Sequence, residues 1–266
     1  MMIGQKNNIQ TLIKWRCNKS VPRFIIISGD EGSGRLTFAK AIMRMLHITG
    51  IINDCKIEDV RRTIEYAYSY TAPTMYIFRN ADDMSVGAKN ALLKVVEEPP
   101  NNAYFIMTVH NIDNMLGTIR SRGTVIKMEP YTPQELKSVC EDELKLEHCT
   151  NIGELQVAHE EVQRTEDCVD DVLKALREKS GTKLLKACTQ LKVKQTETDK
   201  IDCLLFMRVF QKRLYNAQAN ALIYISFECL KDIFICKQEL SKNTINKKSS
   251  IEGMLIRMLE EIKDAE

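Results

Sequence analysis

The sequence predicts an α/β domain built on a parallel sheet, followed by a second half that is entirely helical. Three observations carry that prediction. Apolar, β-rich runs lie only in the first half, FIII at 24–27, MYIF at 75–78, YFIM at 104–107 and TVIKM at 124–128. Helical patterns fill the gaps between them, at Leu36 to Leu46, Ile57 to Tyr70 and Ser85 to Glu98; strand alternating with helix implies a parallel sheet covered on both faces. All six prolines lie at or before Pro133 and eight of the eleven glycines at or before Gly123, which confines turn chemistry to the same half.

After Pro133 helical periodicity runs through LKSVCEDELKL, GELQVAHEEVQ, CVDDVLKALREK, IDCLLFMRVFQKRLY, ALIYISFECLKDIFICKQEL and IEGMLIRMLEEIK. Polar breaks at Lys179 to Thr182 and Lys192 to Asp199 each fit a boundary between a small helical domain and a larger one. SKNTINKKSS, 241–250, reads as a loop before the last helix, and ALIYISFECLKDIFI fits a helix buried on much of its circumference.

A hydrophobic content of 44% over 266 residues supplies ample core for roughly two domains by the usual length prior. No apolar run approaches the roughly 18 residues that span a bilayer, and the start, MMIGQKNNIQ, lacks both a basic and an apolar leader region, so a cytoplasmic protein with no membrane partner is expected. The nine cysteines are odd in number and scattered without a C-x-x-C pair, which fits reduced thiols packed as small apolar residues and no metal. The net charge of +2 excludes a dedicated, strongly basic nucleic-acid binder. Residues 1–130 hold 17 Lys and Arg against 12 Asp and Glu, a net +5, and residues 131–266 hold 21 against 24, a net −3.

Between the first strand and the helix behind it lies Gly29-Asp30-Glu31-Gly32-Ser33-Gly34, the glycine spacing of a phosphate-binding loop. Where such a loop needs Lys for the β and γ phosphates and Ser or Thr for magnesium, this chain has Arg35 and Leu36. Asp30 and Glu31 add negative charge to the cradle.

The stretch from Tyr76 to Arg122, YIFRNADDMSVGAKNALLKVVEEPPNNAYFIMTVHNIDNMLGTIRSR, resembles the core of AAA+ sliding-clamp loader subunits. That family carries a Walker B strand, A-x-x-M-S, N-A-L-L-K-x-x-E-E-P-P, a sensor-1 strand and T-I-x-S-R. Ile3-Gly4-Gln5 is similar to its opening I-G-Q, and IEDVR at 57–61 to its I-x-x-I-R segment. Simple physics supports the pieces: Ser85 can cap the helix that follows, Pro99-Pro100 ends it, and Ala88, Ala91, Leu92, Val95 and Val96 form its inward stripe, leaving Lys89 and Lys94 facing elsewhere.

The resemblance implies a RecA-like α/β domain over 1–130, a small helical lid over 131–186 and a helical collar for oligomerisation over 187–266. It also exposes departures. The family's magnesium-binding Asp and water-polarising Glu fall on Arg79 and Asn80, and Gln156, in GELQVA, replaces the sensor-2 Arg. With Arg35 and Leu36, five positions that handle ATP in cis are changed, which implies a catalytically silent site formed by Gly29, Gly32, Gly34, Arg35, Leu36, Arg79, Asn80, Thr108 and Gln156. Arg79 is expected to pair with Asp30 or Glu31, since an unpaired buried charge is costly. Ser121-Arg122 stands where the family presents its arginine finger, a group supplied in trans to the neighbouring subunit's nucleotide. Gly123 replaces the Cys that often follows, and about ten residues with the single Cys55 stand where many relatives insert a zinc module.

A subunit that keeps its finger and loses its own site is similar to the delta-prime stator of bacterial DNA polymerase III clamp loaders, in a compact bacterial or phage version. That likeness implies no intrinsic cofactor, with ATP and Mg held by neighbouring subunits. It implies motor and clamp-opening partners in a heteropentamer, a sliding clamp, and primer-template DNA, for which Ser85 and Lys89 are contact candidates. Two alternatives stand: an active motor subunit using Arg35 as a surrogate lysine with Asp82 or Asp83 near the metal, and an AAA+ adaptor outside replication.

Overall fold

The computed structural model describes residues 2–53, 55–193, 197, 200–220, 222–223, 225–240 and 246–261. These residues form two compact units. The first comprises Met1–Glu141 with Cys149–Gln156, and the second Asp142–His148 with Val157–Glu266.

The first unit runs α1 (Lys6–Asn18), β1 (Phe24–Ser28), α2 (Arg35–Leu46), β2 (Thr49–Asn53), α3 (Ile57–Ser69), β3 (Thr74–Phe78), α4 (Val86–Glu97), β4 (Ala103–Val109), α5 (Gly117–Arg120), β5 (Thr124–Lys127) and α6 (Pro133–Lys137). The five strands form one parallel sheet in the order β2-β3-β4-β1-β5. Because side chains alternate across a strand, each central strand feeds both faces. Phe24, Ile26, Tyr76, Phe78, Phe105 and Met107 pack toward the core that holds Val60, Leu92 and Val95 of α3 and α4. Ile25, Ile27, Met75, Ile77 and Ile106 pack toward Leu12 of α1 and Phe38, Ala39 and Ile42 of α2. Both faces are dry, which is why these strands read as unbroken apolar runs.

β2 escapes the sequence reading. It lies at the sheet edge with Thr49–Ile52 exposed, so it lacks the buried apolar run that marks β1, β3 and β4; β5, at the other edge, buries only Ile126. The stretch without a zinc module is therefore itself a strand of the sheet.

Ser85 caps α4 as expected, its Oγ accepting from the Ala88 amide at 3.2 Å. At α6 the cap is reciprocal: Thr132 Oγ1 accepts from the Glu135 amide, and Glu135 Oε2 from the Thr132 amide at 2.9 Å.

The second unit contains α7 (Glu143–His148), α8 (His159–Arg177), α9 (Gly181–Cys188), α10 (Cys203–Ala219), α11 (Phe227–Leu240) and α12 (Lys247–Glu261). Its helices share one continuous core, from Val162 of α8 through Phe206 and Phe210 of α10 to Met258 of α12. The helices expected for a lid divide between the units: α6 and 149–156 belong to the first, and α7, α8 and α9 to the second. The periodic run 136–146 is interrupted at 138–142, and in 153–163 a single 3-10 turn, Glu154–Gln156, precedes α8. Buried His148 sits 2.9 Å from Glu166, which also receives Arg213 at 2.8 Å, a polar cluster that periodicity does not reveal.

α11 is covered on one face only. Cys229, Ile233 and Cys236 are buried, whereas Phe227, Leu230 and Phe234, one helical stripe at i, i+3 and i+7, are exposed. This chain by itself therefore does not bury the helix on much of its circumference. Ala221, Tyr224 and positions 241–245 of the expected loop lie outside the described residues, as do 194–196 and 198–199 of the second polar break.

Candidate functional site

In an open parallel sheet, ligands collect at the carboxyl ends of the strands where the strand order switches. Here the loops after β1 and β3 and the end of β4 meet at such a point. A cleft of about 390 Å³ lies there, lined among others by Gly32, Arg35, Leu36, Arg79, Asn80 and Gln156. Gly34 and Thr108 line it too, so eight of the nine residues expected in a degenerate nucleotide site come together. Gly29 lies just outside, its amide donating to the Val109 carbonyl at 3.1 Å and its Cα close against Met128.

The glycine loop is covered from above. Gly153 N donates to Gly32 O at 3.1 Å, and Asn151 Nδ2 donates to Glu31 O at 3.0 Å. A Cβ at Gly153 would stand 2.3 Å from Gly32 Cα, so the two backbones touch with no room for a side chain. The loop also bonds internally, with Ser33 N and Oγ both donating to Asp30 O, at 3.2 and 2.7 Å.

The buried cation of the cleft is Arg35. Only 8% exposed, it has its pKa lowered by burial, against the pull of Asp82, Glu31, Asp30 and Asp83, which favour the charge. Neither its Nη1 nor Asp82 Oδ1 has a hydrogen-bond partner among the described residues. The Asp82 side chain is only 4% exposed; that burial opposes ionisation, but hydrogen bonds from His110 and Asn111 outweigh it and hold the carboxyl below its usual range. Its Oδ2 accepts from the amides of His110 and Asn111 at 3.0 and 3.2 Å.

The expected pairing of Arg79 with Asp30 or Glu31 is not what the structure holds. Arg79 is exposed and makes no ion pair among the described residues. The reason is that Arg35 already occupies the field of those carboxylates, and an exposed guanidinium needs no partner. Asn80 sits in the left-handed region at φ 50, its amide donating to Thr108 Oγ1 at 3.1 Å. The hydroxyl at the sensor-1 position is thereby engaged by the strand end beside it. No carboxylate stands at the strand-end positions 79 and 80, and a guanidinium cannot ligate a cation, so the residues at this strand end do not fit a magnesium nucleotide.

Lys89 corrects another expectation. It is buried, and its Nζ donates to Asp82 O at 2.9 Å and Asn114 O at 3.0 Å. An ammonium committed to two carbonyls behind a 3-10 turn is not presented to DNA, whereas Ser85 remains exposed while capping its helix.

Arg122 stands apart from the cleft's lining, immediately before β5. Its Nη1 donates to Thr118 O at 2.8 Å and its Nη2 to Glu97 Oε1 at 2.8 Å, with the side chain 33% exposed. Ser121 turns its hydroxyl inward on the same carbonyl, at 3.2 Å. Gly123 next to them is a packing requirement, since a Cβ there would meet Ile26 and Phe24 at 2.8 and 2.9 Å. Among the described residues no helix is long and apolar enough to cross a membrane.

The parallel sheet order, the glycine loop behind β1 and the cleft at the strand ends define an AAA+ module. Residues 47–132, from β2 through β5, match the family described as DNA polymerase III, delta subunit. Replication factor C subunit 3 of Schizosaccharomyces pombe is 28% identical over 162 residues, 56% of this chain and 47% of that protein. DNA polymerase III subunit delta' of Yersinia pestis is 37% identical over 70 residues, 25% of this chain and 20% of that protein. A DNA polymerase III gamma subunit-related protein of Thermotoga maritima has the same fold, with a TM-score of 0.55 at 17% identity over 94% of this chain and 98% of that one. In the matched stretches the chain is similar to clamp-loader subunits, delta' of DNA polymerase III among them. It spans less than half the length of the curated relatives it matches.

Proposed function

We propose that this chain serves as a clamp-loader stator in DNA replication: a subunit that does not hydrolyse ATP itself but presents Arg122 to the nucleotide of a neighbouring subunit while a sliding clamp is loaded onto primed DNA. The observation that carries the reading is the contrast between the two sites. At the chain's own cleft the strand end offers Arg79 and Asn80, and the loop is covered by Gly153. On the other side, Arg122 is exposed at the end of T-I-x-S-R, where a guanidinium can offset charge developing on a transferring phosphoryl group.

ATP and Mg²⁺ then belong to the neighbours. The exposed stripe Phe227, Leu230 and Phe234 supports a helical collar that meets other subunits, because an aromatic patch of this kind is typical of interface cores. The three-part division into α/β domain, lid and collar belongs to this proposal.

Comparing the ATPase and clamp-loading rates of complexes assembled with wild-type and Arg122→Ala chains tests it. An arginine finger contributes on the order of 10³ to 10⁵ in rate at its own site, so the complex should slow severalfold or more even with its other sites intact. Wild-type rates with Arg122→Ala would remove the reading.

A further inference from the structure

Arg122 is not free in the isolated chain. Glu97, the last residue of α4, holds its Nη2 at 2.8 Å, and the Thr118 carbonyl at the start of α5 holds its Nη1 at the same distance. The nearby Arg120 does not compete for Glu97, because it is committed to Asp113 at 2.7 Å. Glu97 therefore answers to Arg122 alone among the described residues, across 25 positions of sequence.

The pair is also built to yield. Both side chains are substantially exposed, 33% and 54%, and exposed pairs of this kind contribute only about 0–1 kcal/mol. A polyphosphate brings more negative charge and more acceptor oxygens than one carboxylate, and it would displace Glu97 readily.

We propose that Glu97 is a positioning residue for Arg122, holding the guanidinium at rest until a neighbouring subunit's nucleotide takes it. The inference rests on the arginine-finger reading and adds a restraint to it. Contact with Glu97 must be broken before the phosphates are engaged, in the bound ground state as much as in the transition state. Such a cost falls on nucleotide affinity and leaves the rate of chemistry unchanged.

The experiment measures KM for ATP and kcat of the complex that this chain forms with its companion subunits, reconstituted with wild type, Glu97→Gln, Glu97→Lys, Arg122→Ala and Glu97→Gln/Arg122→Ala. Both Glu97 variants should lower KM, by roughly 1.5- to 5-fold at low salt for a surface pair, with kcat unchanged. The difference should shrink as salt screens the pair, and it should vanish in the Arg122→Ala background. A KM that does not move, a kcat that falls, or a KM change that persists without Arg122 would overturn the inference while leaving the finger reading intact. Arg122→Ala complexes with wild-type kinetics would overturn both. Side-chain NMR of the isolated chain supplies a readout that needs no partner: the Arg122 guanidinium should show hindered rotation in wild type and lose it in Glu97→Gln. Identical spectra would overturn the restraint regardless of any ATPase result.

Discussion

Gly153 donates its backbone amide to the Gly32 carbonyl at 3.1 Å, which lays the 151–153 segment directly on the glycine loop. Gly32 lies at φ +80, a conformation that L side chains rarely adopt, and it meets a glycine whose missing side chain makes the approach possible. The loop that elsewhere cradles phosphate is here used as a packing surface.

Gly153→Ala should therefore destabilise the chain. Its Cβ would stand 2.3 Å from Gly32 Cα, and neither backbone can yield cheaply. Overpacking of this sort costs about 1–3 kcal/mol, read as a lower urea midpoint. Gly117→Ala, with open space around it, is the control and should not show a steric loss.

Lys89 makes a second prediction. Lys89→Met keeps the aliphatic stem but leaves the carbonyls of Asp82 and Asn114 without their donor, a loss of about 1–3 kcal/mol for buried polar groups left unpaired. Lys94→Met, on the same helix, should change stability by no more than about 0.5 kcal/mol, as surface substitutions do. Equal stabilities for the two variants in chemical denaturation would refute the buried role.

Why the sequence misplaced Lys89 is instructive. Helical periodicity correctly assigned the stripe from Ala88 to Val96, and a lysine off that stripe reads as solvated. It carries no information about what folds over the helix from elsewhere, here the 3-10 turns Ala81–Asp83 and Ile112–Asn114. The same limit explains Arg79. Motif spacing brought eight residues to one cleft, but which of two arginines is buried among the carboxylates depends on side-chain direction, which spacing does not encode. β2 was missed for a different reason: unlike the other edge strand β5, which buries Ile126, it has no buried side chain, and only pairing with β3 defines it. Where burial is symmetric, as in β1, β3 and β4, the apolar run alone was enough.

Asp82 predicts a pH dependence. Its folded-state pKa is depressed, with burial opposing ionisation and the hydrogen bonds from His110 and Asn111 outweighing it. A depressed carboxyl contributes stability that is present above its unfolded value and lost as pH falls through the folded one. Asp82→Asn should cost about 1–3 kcal/mol at neutral pH, since the amides of His110 and Asn111 lose a charged acceptor and Arg35 its first counter-charge. The gap between wild type and variant should narrow below the ordinary carboxylate range. A gap that is constant down to acid pH would show that the carboxylate's charge is not what matters.

The proposed loss of ATP chemistry at the cleft yields a prediction about the isolated chain. It should show no magnesium-dependent ATP turnover, because Arg79 cannot ligate the metal and Asn80 supplies no carboxylate to hold it or to polarise the attacking water. Restoring Arg35→Lys, Leu36→Thr, Arg79→Asp and Asn80→Glu together supplies the missing groups, yet Gly153 still covers the loop, so nucleotide binding by calorimetry should return weakly if at all. Turnover by the unmodified chain would favour the motor-subunit alternative.

The exposed stripe of α11 separates folding from assembly. Phe227 and Phe234 are 77% and 60% exposed, so replacing both with Asp removes little that the folded chain uses, and thermal stability should stay close to wild type. At an interface the same residues would act as aromatic anchors, where a single truncation costs about 2 kcal/mol or more, and a buried charge costs further. Phe227→Asp/Phe234→Asp should therefore lose association with companion subunits by a hundredfold or more in dissociation constant, while Leu185→Asp, an exposed apolar residue of α9, should leave association unchanged. If the double variant still co-elutes with its companions at wild-type affinity, α11 is not a subunit interface, and the collar must be sought on another face of the second unit.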